Sequence, residues 1–447
     1  MGARSRSAPP FRKLDPGGGL GPVRPPGSAG RTLLSDRSVE LWRDPVRFVS
    51  AGVEQHGARA FLTRLLLRPT VVLADNLAVR HLLRDRETFQ CGLRDMFMPL
   101  LGENLVFMEG DRADSIRASL HGLFSSETAT NYQAITERVT RHWLEQLDSD
   151  RPVDLYAAFK QLSMELNLAV FLGLERRERG ADVAAVTDIA TTHWHGLYAL
   201  PVSVSVPFAT SSSYKQALDA KEQLLKLADQ MLRDDAQSAF IESLKLAVED
   251  PETRRNHLLL CASAMVPKAL ASLLTSAIVA SPQWKERYVS DDGDISDDDL
   301  TCFLLEVQRL YPPFFGGRRL VTRDAQVGEY LVSRGQAVVY GTAAAHRDPA
   351  VFPNADTFDP ERWRTSNKND QDKLFCFGGG PRACIGQKMY QHILKVACRM
   401  FISEFDWHLP ATWRPTWKHL PVSRPTNLPS LLLSRRSEAE QWQDATS

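Results

Sequence analysis

The stretch Phe377-Gly378-Gly379-Gly380-Pro381-Arg382-Ala383-Cys384-Ile385-Gly386 carries a single cysteine out of a glycine-rich loop and into an amphipathic segment. After it Ile385, Met389, Ile393, Ala397, Met400 and Phe401 recur at helical spacing. That spacing puts the sulfur near a helix N-terminus, where backbone N–H groups and the helix dipole favour a thiolate. A thiolate can ligate iron, and glycines at 378, 379, 380 and 386 let backbone amides approach it and tune its electron donation. Phe377 stands where it would screen the sulfur from water. Taken alone, such a turn also reads as a strand-to-helix connection around a buried cysteine.

Working outward, the chain of 447 residues is long enough for a large core, and no long linker divides it. Lys plus Arg equals Asp plus Glu at 54 each, so the charge balance argues for no nucleic-acid partner. Six cysteines, at 91, 261, 302, 376, 384 and 398, form neither a paired framework nor a metal-finger spacing, which suits a reducing, intracellular compartment. Residues 1–36 are rich in Arg, Pro, Gly and Ser and are expected to be a disordered basic leader, leaving 37–447 as the folded domain. Such a leader is compatible with mitochondrial targeting, although its prolines and glycines oppose an amphipathic helix. No transmembrane helix is expected: the uncharged run Gly196–Tyr214 contains Pro201 and Pro207, and the apolar run at 258–283 is broken by Pro267 and Lys268. Cytoplasmic, membrane-peripheral and mitochondrial locations all stay open.

Apolar periodicity predicts helices at about 39–55, from about 75 to 86, after Gly110, and at about 130–147, 154–172 and 215–234. β-branched and leucine-rich patches at 60–66 and 70–74 predict paired strands, 329–340 reads as a hairpin, and 421–433 as a turn between two short strands. Between Cys91 and Met108 the apolar residues have no clean period, which predicts a loop, either a greasy lid over a substrate or a packed connection. The composition is thus mainly α with small β regions. No glycine loop opens a helix after a strand in the pattern that cradles a dinucleotide phosphate.

The cysteine loop resembles the haem-binding loop of the cytochrome P450 superfamily, with phenylalanine, glycine, basic residue, cysteine and glycine at that family's spacing. The resemblance implies the cytochrome P450 fold, haem b as cofactor, and Cys384 as both the metal ligand and the catalytic thiolate. Phe377, Gly378 and Gly386 would shape its surroundings. Arg382 would reach a haem propionate, as would Arg117 on the helix after Gly110 and Arg319 on a strand, with Arg318 the competing choice. Ala113 occupies the other propionate-binding position of that helix, and Tyr390 stands where a small residue is usual. Glu306-Val-Gln-Arg309 and the arginine of Pro360-Glu361-Arg362-Trp363 resemble the family's structural triad, which locks the loop behind the haem and does no chemistry.

The distal helix is placed over 258–274. Ala262 and Ser263 match the family's small pair, but Met265 and Val266 replace the acid and hydroxyl residue that deliver protons, and neither can pass one. Pro267 is expected to kink this helix, and a connection of only 40 residues from Val266 to Glu306 predicts a truncated helix between them. Met96, Met98, Phe107, Leu258, Phe314, Phe315 and Leu428 supply apolar pocket walls. A medium-to-large apolar substrate is therefore expected, a sterol, retinoid or fatty acid. The loop's Gly-Gly-Gly-Pro-Arg form points to the sterol and retinoic-acid branch.

Three activities are compatible with these residues. Oxygen-dependent hydroxylation needs an electron-donor protein, a reductase or ferredoxin, docking near Lys388, Lys395 and Arg399. A peroxide-using isomerase, dehydratase or peroxygenase tolerates Met265 and Val266. A non-catalytic haem or lipid binder needs neither.

Overall fold

The computed structural model describes residues 23–125, 132–147, 150–199, 212–233, 238–263, 265–365 and 372–436; the side chains of 33, 177–179, 181 and 265 are not among them. The first 22 residues of the expected leader, and most of the run Gly196–Tyr214, lie outside the described residues.

The N-terminal third builds a small sheet with helices on it. The helix expected at 39–55 is split into α1 (Ser38–Arg43) and α2 (Pro45–His56), because Asp44 turns extended and caps α2 through Arg47 N–H at 3.0 Å, with Pro45 in the first position. Strands β1 (Ala60–Leu65) and β2 (Arg68–Leu73) pair antiparallel as their sequence predicts. After α3 (Asn76–Arg84) and β3 (Phe89–Cys91), a helix α4 (Arg94–Leu101) occupies what sequence periodicity predicts to be a loop. It is eight residues long with Pro99 inside, too short and too interrupted to show a period. Residues 23–36 also depart from expectation: Val23 N–H bonds Glu329 O at 3.0 Å, Leu62 N–H bonds Pro26 O at 2.7 Å, and Arg64 donates to Ala29 O and Gly30 O. This stretch satisfies backbone groups along the edge strand β1, so it is part of the fold.

The middle of the chain is helical: α5 (Gly110–His121), α6 (Gln133–Glu145), α7 (Leu155–Leu172), α8 (Arg176–Gly196), α9 (Ser213–Arg233), α10 (Ala239–Ala247), α11 (Pro251–Ala262), α12 (Met265–Ala280) and α13 (Lys285–Tyr288). The last is a single four-residue turn, the truncated helix that the short connection predicts. The stretch 251–283 is long and apolar enough to cross a membrane by length and composition, and 75% of its apolar window is buried inside the protein. Its α12 part packs along α7 in the main core.

Next comes α14 (Asp297–Leu310), then β4 (Gly316–Val321), β5 (Ala325–Val327), β6 (Tyr330–Val332), β7 (Ala337–Gly341) and the short α15 (Thr342–Ala345). The hairpin expected at 329–340 does not form. β6 pairs with β5, while β7 runs parallel to β2 and antiparallel to β4, giving the sheet order β1-β2-β7-β4-β3. Period-2 patterning marks a strand but not its neighbour. Helix α16 (Gln387–Glu404) follows the cysteine loop. Beyond it, β8 (Phe405–Trp407) pairs with β11 (Leu433–Arg435), and β9 (Trp417–Lys418) with β10 (Arg424–Pro425), so the two strands predicted within 421–433 do not pair with each other. The main core joins α6, α7, α12 and α16 through stacked aromatics, with Trp143, Phe159 and Phe401 ring centres 5.2–6.3 Å apart.

One polar network is sealed inside this frame. Glu306 and Arg309, both fully buried on α14, are joined by two bonds of 2.7 and 2.9 Å, and Arg362 reaches the same carboxylate at 3.1 Å. Trp363 Nε1 and Asp359 N–H donate to it as well, at 2.9 and 2.8 Å. Arg309 spends its remaining donors on the carbonyls of His346, Ala355 and Thr357. Every lone pair has a donor, which is what makes a buried ion pair tolerable. An Arg309→Met variant leaves the carboxylate buried and under-compensated, and should lose about 3–5 kcal/mol in denaturant unfolding; a loss under 1 kcal/mol would show the network to be incidental.

Candidate haem-thiolate site

The cysteine loop is closed by its own backbone. Gly378 N–H bonds Phe375 O at 3.0 Å, Ala383 N–H bonds Gly380 O at 3.0 Å, and Cys384 N–H bonds Phe377 O at 2.7 Å. Gly380 has φ +64° and lies against the Leu83 carbonyl at the end of α3, so no side chain fits there. Cys384 is thereby held just before Gly386, which caps α16 and donates its N–H to the sulfur. Protein surrounds Cys384 on nearly every side, yet its side chain is exposed, which means that it faces a space inside the molecule. Burial raises the thiol pKa, opposed by the Gly386 N–H and by the Arg117 guanidinium. Desolvation thus opposes the help that the helix end gives the thiolate.

Arginines converge on the loop. Arg117 of α5 donates to Ala383 O at 2.8 Å, and its other major neighbour is the Cys384 sulfur. Arg382 lies against the carboxylate of Glu109, which accepts the Cys91 N–H at 3.1 Å. Arg319 sits opposite Cys91 in the β3–β4 register, and cross-strand partners share a face, so it points to the side where Cys91 and Arg382 meet. Arg318 turns the other way and donates to Gly92 O at 2.7 Å. Strand geometry thus favours Arg319 over Arg318. Phe377 is half-buried and Gly386 buried.

His346, which the sequence marks only as part of a His-Arg-Asp-Pro motif, ties this loop to the buried network. Its Nδ1–H donates to Arg309 O at 3.0 Å while Nε2 accepts the Phe375 N–H at 2.7 Å. Only the neutral ring can do both.

Where the distal helix is expected, one kinked helix is not what forms. α11 ends at Ser263, whose ψ of 150° is extended, and α12 starts at Met265. Pro267 falls in the first turn of α12, where its missing N–H costs nothing. Ala262 is buried, Val266 half-buried, and the Met265 side chain lies outside the described residues. Phe314 packs against the main core, but Phe315 enters the small cluster of Phe48, Val49 and Val339 behind the sheet. The chain bends at Phe314 just before β4, and Phe315 is not part of the expected pocket wall. Tyr390 fills its unusual position with bonds to partners: its hydroxyl donates to Asn167 Oδ1 at 3.1 Å, and Asn167 Nδ2 donates to Cys261 O on α11 at 2.6 Å. A polar surface cleft of about 660 Å³ lies apart from this site between α6, α7 and α8, where Arg138–Glu175 and Arg176–Glu165 pair at 2.5 and 2.7 Å.

A family model described as cytochrome P450 matches residues 300–433, the part holding the buried network, β4–β7 and the cysteine loop. Along most of the chain, cytochrome P450 26B1 of Mus musculus is 25% identical, with 90% of this chain and 85% of that protein aligned. Residues 300–433 thus carry a cytochrome P450 domain. Cytochrome P450 26C1 of Mus musculus aligns at 25% identity over 85% of this chain and 83% of its own length. Among solved structures, a retinoic acid-bound cyanobacterial CYP120A1 superimposes with a TM-score of 0.78 at 23% identity, covering 93% of this chain and all of that one. This P450 is a haem-thiolate monooxygenase, and its cofactor is haem b.

The residues present fit that group. The open sulfur stands beside guanidinium groups, Arg117 on the loop carbonyl and Arg382 next to it, whose chemistry suits carboxylates. The basic proximal face is weaker than its sequence predicts. Lys395 and Arg399 both pair with Asp297, at 2.5 and 3.0 Å, which leaves exposed Lys388 as the cation of that trio without a described partner.

Burial depresses the His346 pKa from 6.5 to about 3. Because the folded-state value lies below the unfolded one, its contribution to stability is complete above pH 6.5 and is lost as pH falls toward 3. Urea midpoints should decline across that window, and a His346→Gln variant should decline less steeply; an unchanged acid slope would remove the assignment.

Proposed function

We propose that Cys384 is the proximal ligand of the haem iron and that Arg117, Arg319 and Arg382 hold the propionates. The observation that carries this reading is the Cys384 side chain, enclosed by protein yet open to an internal space with three arginines around its loop. Haem, when bound, supplies the iron that activates oxygen. The chain's own part is to seat it: Gly386 N–H bonds the sulfur, Phe377 O and Gly380 O fix the loop, and Ala262 and Val266 would line the far side.

The substrate in this reading is a medium-to-large apolar molecule of the retinoid, sterol or fatty-acid class, hydroxylated with electrons from a reductase or ferredoxin. Buried or half-buried Met98, Phe107, Leu258, Phe314 and Leu428 all belong to the main core or pack on it. The retinoic acid bound by the similar cyanobacterial structure supports the retinoid end of that range. A second reading, turnover on peroxides, is favoured by one feature: Val266 offers hydrocarbon where a hydroxyl would relay protons. Peripheral contact with a membrane stays within the proposal.

Two measurements test this. Cys384→Ser should abolish the red-shifted Soret band of the reduced carbon monoxide complex, and survival of that band would reassign the ligand. Turnover with NADPH and a reductase is expected to exceed turnover with a hydroperoxide alone; product in the peroxide arm only would replace the first reading by the second.

A further inference from the structure

Lys268 stands in the first turn of α12, 9% exposed, with its ammonium 6.0 Å from the centre of the Trp194 ring. Nearby, Arg424 on β10 and Lys160 on α7 both lie over the Tyr156 ring, at 5.5 and 6.0 Å. His195 follows Trp194 on α8. These groups feel one another: burial first, then Lys160 and Arg424, bring the Lys268 pKa down to about 8. The same order of causes, burial and then Lys268, Lys160 and Arg424, lowers His195.

No carboxylate answers them. Among the described residues none pairs with Lys268, Lys160 or Arg424, and the segment 200–211 that continues from α8 contains no acidic residue in its sequence. Asp154, the acid nearest Tyr156, caps α7 through Ala157 N–H at 3.1 Å. The first turn of α12 holds no acid either, so the positive end of that helix adds to the field. A buried hydrogen-bond donor is also unpartnered among the described residues: Trp194 is fully buried, and its Nε1–H meets no acceptor there.

An ammonium under two cations, beside a helix N-terminus and an unused indole N–H, is costly unless an acceptor of negative charge completes it. Exposed Lys160 and His195 leave the cluster open to an incoming group. The cluster is also joined to the pocket wall. Ser423, next to Arg424, takes the Ser272 hydroxyl of α12 on its carbonyl at 2.5 Å and gives its N–H to Pro313 O at 2.8 Å, one residue before Phe314.

We propose that Lys268, Trp194 and Arg424 form an anion-binding subsite that takes the carboxylate of the substrate, so that the substrate class is an apolar carboxylic acid. This rests on the reading of an apolar substrate at the haem. Lys268 supplies the charge, the Trp194 N–H a directed bond, and Arg424, carried on the last hairpin, closes the head group against α12.

The test compares retinoic acid and palmitic acid, each with its methyl ester, by calorimetry and by spectral titration of the haem-loaded protein. Wild type should bind each acid about tenfold or more tightly than its ester, the range of a charge-assisted hydrogen bond. Lys268→Met keeps the stem, drops the charge and should abolish that preference while leaving ester affinity and the thermal midpoint intact. Arg424→Gln should reduce the preference in the same direction, and serves if the first variant does not fold. Equal affinity for acid and ester in wild type, with spectral shifts from both, overturns the subsite and keeps the apolar-substrate reading. No binding of any of the four removes both. Inorganic phosphate that binds with Lys268 dependence while neither acid does would assign the cluster to a free anion and overturn the head-group proposal.

Discussion

The Glu306 carboxylate has no access to solvent and five donors aimed at it, two from Arg309 and one each from Arg362, Trp363 and the Asp359 backbone. Those donors belong to two chain segments separated by about fifty residues, so satisfying one charge fixes their relation. Arg309 then passes the constraint on. Its guanidinium holds the carbonyls of 346, 355 and 357, and its own carbonyl holds His346, whose other nitrogen holds Phe375 at the head of the cysteine loop. The position of Cys384 is thus set from behind by a chain of bonds that leads back to a single buried charge. Hydrophobic packing alone leaves such a loop free to slide.

The wall opposite is built differently. Where an unbroken helix carries groups that relay protons, this chain divides at Ser263 and restarts at Met265, with Pro267 placed where a proline is harmless. The division changes which groups the second helix presents. Its first turn offers positive charge in place of an acid, and Tyr390, Asn167 and Cys261 join the helix after the cysteine loop to the end of the first half. One side of the site keeps a rigid, fully bonded geometry, while the other has exchanged proton-carrying side chains for hydrocarbon and cations.

Much of this was legible in the sequence where local chemistry decides it. The β-branched run at 60–74 became the hairpin, the apolar periods at 133–145, 155–172 and 213–233 became helices, and Glu306, Arg309 and Arg362 met as their motifs imply. What failed was decided by distant chain. The alternation at 329–340 marks strands, but β7 takes β2 and β4 as neighbours because the sheet needs a central strand there. Phe314 and Phe315 look equivalent in a row, and a bend in the chain at Phe314 sends them to different cores. α8 carries too little apolar surface between its histidines, threonines and charges to announce itself. His346 could have been suspected only from knowing that both ends of its ring had backbone groups to meet.

The parallel pairing of β2 with β7 sets Thr70 beside Ala337. During synthesis, the edge of the first hairpin therefore waits unpaired while more than half of the chain is still to be made. An unpaired, apolar strand edge is a template for the wrong partner, and contacts this far apart in sequence form late. The first hairpin thus stays without its second neighbour until residues 337–341 have been made. The same pairing means that a chain cut short before residue 337 loses the centre of its sheet as well as its haem loop, so truncated products have no folded refuge and should be cleared by proteolysis.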